Sequence, residues 1–193
     1  MTYYTAAELR GFSGGLTASA STLVIKAAAR SASGPFDIFL SHSFLDADVI
    51  IGLKRLFEAQ RQTVYVDWID DAELDRTKVS PDTAALVQRR MASSRSLVYA
   101  TSRSSKRSRW MPWELGYFDG IKGADQITIC PIETGTDRAT AFAGEEYLGL
   151  YKTMEKINWN GSWKPSAVRP LRTQVQRIAK FADGTGDYVG LHR

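Results

Sequence analysis

At 193 residues and 21.4 kDa, the chain has the length of one compact domain, taking ~100–200 residues per domain, with room for a short appendage at either end. Its 44% hydrophobic and 24% charged residues exclude disordered, collagen-like and coiled-coil classes. No run of 18 apolar residues exists, so a membrane-spanning helix is excluded, and the first ten residues, with Arg10 balanced by Glu8, do not read as an export signal.

The net charge of +4 is unevenly distributed. Between Thr83 and Trp113 lie Arg89, Arg90, Arg95, Arg103, Lys106, Arg107 and Arg109 and no acid, while Asp67 to Asp75 carries five acids and no base. The basic run lacks interleaved aromatics before Trp110, which argues against a single-strand nucleic-acid binder. One cysteine, Cys130, and two histidines exclude an internal disulfide and speak against a metal site, and the expected compartment is the cytoplasm.

In chain order, residues 1–35 read as a helical extension, with Leu16, Ala20, Leu23, Val24 and Ala27 on one face and a Ser/Gly/Pro linker at 31–35. From residue 36 short apolar runs alternate with helical periods, which predicts βαβ units and a parallel sheet. FDIFLS (36–41) is the first strand. Val49, Leu53, Leu56 and Phe57 then share a helix face. TVYVDW (63–68) is the second strand, and Ser80-Pro81 reads as an N-cap followed by proline in the first turn. SLVYAT (96–101) is the third strand, followed by a helix from about Ser108 that holds Pro112 in its first turn. QITICPI is the fourth strand, with Cys130 in a packing role. A fifth is placed near Lys156–Trp159, and Val168, Leu171, Val175 and Ile178 predict a closing amphipathic helix over 166–182. The organisation is an extension (1–35), an α/β domain (36–183) and a tail (184–193).

An open parallel sheet binds ligands beyond the carboxyl ends of its strands. That rule selects Ser41, His42, Ser43 and Asp46 after the first strand, Asp67 and Trp68 after the second, and Arg103, Arg109, Trp110 and Glu114 after the third. Trp110 and Glu114 are one helical turn apart, so a ring and a carboxylate point the same way. Each has a plainer reading: Trp110 as a core aromatic, His42 as a partner for loop backbone, Asp46 as a helix cap.

FDIFLSHSFLDAD, the acidic DW loop and SRWMPWELGYF together resemble the Toll/interleukin-1 receptor (TIR) domain family, especially its bacterial members, over roughly 36–132. The resemblance implies a flavodoxin-like fold with five parallel strands. It also implies cleavage of NAD⁺, as substrate rather than cofactor, to nicotinamide and ADP-ribose or a cyclised product. Glu114 falls on the family's catalytic glutamate, and Trp110 on the aromatic before it. One carboxylate suffices for that reaction, because nicotinamide leaves neutral and needs no acid, whereas glycosidases need two. Amides near 41–43, the helix N-terminus and the arginines of 103–109 are the candidates for holding the pyrophosphate. The resemblance further implies a role in bacterial antiphage defence, self-association through the 67–80 loop, and a downstream effector that senses the nucleotide product. The alternative is a non-catalytic TIR scaffold. A two-component receiver is excluded because the third strand ends in YATS without a phosphoacceptor aspartate.

Overall fold

The computed structural model describes residues 2–14, 35–43, 47–71, 80–102, 105–135 and 145–191. Its strands are β1 (Tyr4–Thr5), β2 (Ile38–Ser41), β3 (Val64–Tyr65), β4 (Ser96–Thr101), β5 (Ile127–Glu133), β6 (Lys152–Trp159), β7 (Ser162–Val168), β8 (Gln174–Arg177) and β9 (Val189–Gly190). Its helices are α1 (Ala6–Phe12), α2 (Ala47–Glu58), α3 (Asp67–Asp70), α4 (Pro81–Ser93), α5 (Trp110–Lys122) and α6 (Ile178–Asp183). One sheet runs β3-β2-β4-β5-β6-β7-β8-β9. The five strands from β3 to β6 are mutually parallel, as the flavodoxin-like expectation requires.

Alternation along the strands builds the core on both faces. Ile38, Leu40, Val98, Ala100 and Cys130 join α1, α2 and α6 on one side, while Phe39, Leu97, Tyr99 and Ile129 meet Val87 and Met91 of α4 and Met111, Leu115 and Phe118 of α5 on the other. Burial pushes the Cys130 thiol up to about 12, so it stays a neutral packing group.

The N-terminal segment is part of this core. Tyr4 and Thr5 pair with Ile132 and Glu133 of β5, on the edge that β6 takes lower down at Thr128 and Ile129. α1 opens with a capping box between Thr5 and Glu8, and Leu9 is fully buried against α2. Contact is so close at Gly52 that a Cβ there would lie 1.8 Å from the Leu9 carbonyl oxygen. The apolar face expected over 16–27 lies outside the described residues.

Three local expectations are corrected. β3 stops at Tyr65, because the Asp70 carboxylate accepts the Val66 N–H at 2.7 Å and turns the chain into α3, so Asp67 and Trp68 sit on a short helix rather than a strand. β6 starts four residues earlier than placed and returns as the hairpin strand β7 through Asn160 and Gly161, both at positive φ, an Asn-Gly turn whose twist matches the flanking strands. Over 166–182 the single helix is absent. Val168 and Val175 face each other across the β7–β8 pair, Leu171 is 90% exposed with positive φ in a short 3-10 turn over Pro170–Arg172, and only Ile178–Asp183 is α-helical. The spacing of seven that suggests a helix face is here a cross-strand pair.

Candidate active site

The order of strands reverses between β2 and β4: the chain passes from β2 outward to β3, then returns to the other side of β2. The crevice beyond the carboxyl ends of these two strands is where an open α/β sheet presents its ligand site. Ser41 ends β2, opposite Tyr99 of β4, and α5 follows β4.

The loop after β4 is folded by a serine knot. Ser105 Oγ donates to the Ser102 carbonyl at 2.7 Å and accepts from the Ser102 N–H at 3.1 Å. Ser108 Oγ then accepts the Met111 N–H at 3.3 Å and starts α5 with Pro112 still in its first turn. These anchors carry Glu114 inward. Its Oε2 accepts a 2.5 Å hydrogen bond from Ser41 Oγ, and both residues have no solvent exposure. The bond ties α5 to the end of β2 and fixes the Glu114 carboxyl between them.

Trp110, one turn earlier, is half-buried and meets Trp113 edge to face at 5.4 Å between ring centroids, and Trp113 in turn stacks on Tyr117. The aromatic is thus part of a ladder along α5 that stabilises the helix surface beside Glu114.

A second group lies next to Ser41. The His42 Nδ1–H donates to the Leu40 carbonyl at 2.9 Å, and Nε2 accepts the Trp68 indole N–H at 2.6 Å. A carbonyl and an indole N–H on opposite ring nitrogens is the pattern of the neutral Nδ1–H tautomer. Asp67 Oδ1 stands 3.4 Å from the same Nε2. Because Nε2 is already engaged, His42 ties α3 to the end of β2 instead of presenting a free base. Ser43 is buried beside it.

Of the sequence candidates, Ser41, His42, Ser43, Asp67, Trp68, Trp110 and Glu114 gather at this end of the sheet. Arg109 is exposed at the start of α5, and Asp46 and Arg103 lie outside the described residues. Tyr99 was not among the candidates. Burial raises its phenol well above the ordinary value, and Glu145, Tyr147 and Glu114 push the same way, so a neutral hydroxyl faces the Glu114 side of the sheet. Its position opposite Ser41 in register is the signal that would have found it.

The acidic loop and the basic run meet within the chain. Asp71 takes two hydrogen bonds from Arg90, at 2.8 and 2.6 Å, and one from the Tyr65 hydroxyl at 2.8 Å. Burial opposes its charge, but Arg90 and Tyr65 hold the carboxyl below its ordinary value. Asp70 faces Lys54 at 4.0 Å, and burial nevertheless raises its carboxyl. Both aspartates thus have partners in their own chain. Among the described residues no group of three His, Cys, Asp or Glu side chains is placed to hold a metal, and no helix is long and apolar enough to cross a membrane.

Fold and site together define a flavodoxin-like α/β domain, the fold the TIR resemblance implies, with Ser41 and Glu114 buried and hydrogen-bonded at its switch point. No protein-family model matches the chain. It is 52% identical over 121 residues to a Bacillus cereus (strain MSX-D12) protein named "Probable 3′ cyclic ADP-D-ribose synthase ThsB′", a match covering 63% of this chain and 61% of that protein. Over 83 residues it is 32% identical to a Cytobacillus dafuensis protein named "Putative cyclic ADP-D-ribose synthase TIR2", a match covering 42% of this chain and 22% of that one. The chain therefore spans about three fifths of the first relative and about a fifth of the second. These relatives bear out the resemblance to TIR proteins.

Proposed function

We infer that this chain cleaves the bond between nicotinamide and ribose in NAD⁺ and closes the remaining ADP-ribose into a cyclic product, with linear ADP-ribose as the hydrolytic outcome. The observation that carries this reading is the buried Glu114, bonded to Ser41 where the strand order reverses. The names of the two relatives support the same reaction.

The chemistry suits one carboxylate. As the glycosidic C–N bond breaks, its electron pair goes to the pyridinium nitrogen and nicotinamide departs neutral. The anomeric carbon becomes electron-poor, and a fixed anion beside it lowers the barrier. Attack by a ribose or adenine group of the same molecule gives the cyclic product, attack by water the linear one, and either nucleophile releases one proton. Ser41 fixes the orientation of Glu114, and the Trp110 ring and the neutral Tyr99 hydroxyl are candidates for contact with the nucleotide. Since Glu114 is fully covered, substrate reaches it only after its cover moves. Self-association through the 67–80 loop is the opening event this reading favours, and a downstream effector in antiphage defence is the recipient of the product.

The test is incubation of purified protein with NAD⁺, with and without a crowding agent, and mass analysis of the products. Nicotinamide together with a species one water lighter than ADP-ribose is expected. Absence of nicotinamide under every condition would leave the scaffold reading in its place.

A further inference from the structure

A second cleft lies at the other end of the sheet. It has a volume of about 460 Å³ and is lined by Asp125 and Gln126 ahead of β5, Arg169 after β7, Gln176 on β8, and Gly186 and Tyr188 beyond α6. In volume it falls in the range of small-molecule sites, ~300–1,000 Å³. Gln126 precedes the first residue of β5, whereas Ser41 is the last of the parallel strand β2, so this cleft and Glu114 occupy opposite edges of the sheet.

Its polar groups are incompletely matched. Arg169 Nε, Gln126 Oε1 and Gln176 Oε1 are buried without a hydrogen-bond partner among the described residues. Gln176 is 2% exposed, and its amide orientation is set by the bond from Nε2 to the Lys180 carbonyl at 3.3 Å, which leaves Oε1 as an acceptor in want of a donor. The Arg169 guanidinium lies 4.2 Å from the centre of the Tyr188 ring and 3.7 Å from Asp125. Lys152, buried beneath, stands 5.3 Å from the same ring and 3.2 Å from the Asp125 carboxylate.

These features select a ligand. Cations over the Tyr188 ring compete with stacking of a nucleobase. A simple anion would meet Arg169 but also two carbonyl oxygens and the Asp125 carboxylate, and a simple cation would meet the reverse conflict. A molecule carrying both charges a short distance apart satisfies the set: its carboxylate accepts from Arg169, and its ammonium donates to Gln126 Oε1, Gln176 Oε1 and the rim carboxylate of Asp125. We propose that the cleft formed by Asp125, Gln126, Arg169, Gln176 and Tyr188 is a binding site for a free zwitterionic α-amino acid, separate from the Glu114 site.

The experiment is titration of the full chain with each of the twenty standard L-amino acids, and with acetate and methylammonium as single-charge probes, followed by calorimetry and backbone amide chemical shifts. At least one amino acid binds, shifts amides around Gln126, Arg169 and Gln176, and loses at least tenfold in affinity in both Arg169→Met and Gln126→Leu, while neither single-charge probe binds. The proposal is overturned if no amino acid binds the unaltered chain, if acetate or methylammonium binds as tightly, or if Gln126→Leu, folded by its amide spectrum, keeps full affinity. The spectrum keeps the test decisive even where Arg169→Met does not fold.

Discussion

Gly52→Ala offers a sharp test of how the N-terminal segment is built into the domain. In an exposed helix interior the change from glycine to alanine stabilises by ~0.5–1 kcal/mol, because glycine has more conformational freedom to lose on folding. Here the added carbon lands 1.8 Å from the Leu9 carbonyl oxygen and 2.6 Å from its carbon, against an ordinary contact of 3.4 Å or more. These are backbone atoms, so no side chain can swing aside, and α1 must retreat by about 1.5 Å. That retreat uncovers Leu9, which is fully buried, and pulls at the Arg10–Asp48 pair and the bond from Lys156 to Glu8. Overpacking of this kind costs ~1–3 kcal/mol. For a domain of this length the expected loss is roughly 2–10 °C in Tm. Gly120→Ala is the control, as it sits exposed inside α5 with nothing within 4 Å of the new methyl, and it holds or raises Tm. Thermal unfolding of the three proteins gives the answer. An unchanged or raised Tm for Gly52→Ala would refute the close packing of α1 on α2.

Other perturbations separate the parts of the site. Asp71→Asn removes the carboxylate held by Arg90 and Tyr65 and destabilises by ~1–3 kcal/mol at neutral pH. Because the folded-state value of Asp71 is lowered, its contribution is full above the ordinary carboxylate range and is lost as pH falls through the lowered value, so the difference between variant and parent in urea unfolding shrinks on acidification. Trp68→Phe deletes the indole N–H bonded to His42 and costs ~1 kcal/mol, and nitrogen-resolved NMR of the imidazole reads the freed Nε2 directly. Ser41→Ala deletes the hydroxyl donor to buried Glu114 and, at about 1.5–3 kcal/mol for a bond to a charged group, lowers Tm, while nicotinamide release per folded molecule falls as the carboxylate loses its anchor.

Much of the parallel sheet was legible because its signals are local. β4 occupies the residues its apolar run marks, α4 begins behind the Ser80 cap, and Pro112 falls where a helix tolerates it. The C-terminal third misled for a physical reason: apolar residues seven apart satisfy both a helix face and a hairpin pair, and the deciding feature is the left-handed backbone at Leu171 and Arg172, which side-chain pattern does not reveal. Asn160-Gly161 was the available turn signal. At the site, the residue types were readable and their pairing was not. Ser41 and Glu114 are 73 positions apart, and only the return of β4 alongside β2 brings them together. The acidic and basic runs, likewise, read as two opposed surfaces until the fold joined Asp71 to Arg90.

The most direct measurement is nicotinamide release from NAD⁺ by the full chain beside Glu114→Gln, with the fold of each checked by thermal unfolding. The substitution keeps the shape and a hydrogen-bonding partner for Ser41 while removing the negative charge. A fall of at least a hundredfold at unchanged Tm is predicted, in line with the loss of a positioned electrostatic group. Release that persists in Glu114→Gln would contradict the assignment of the reaction to this carboxylate.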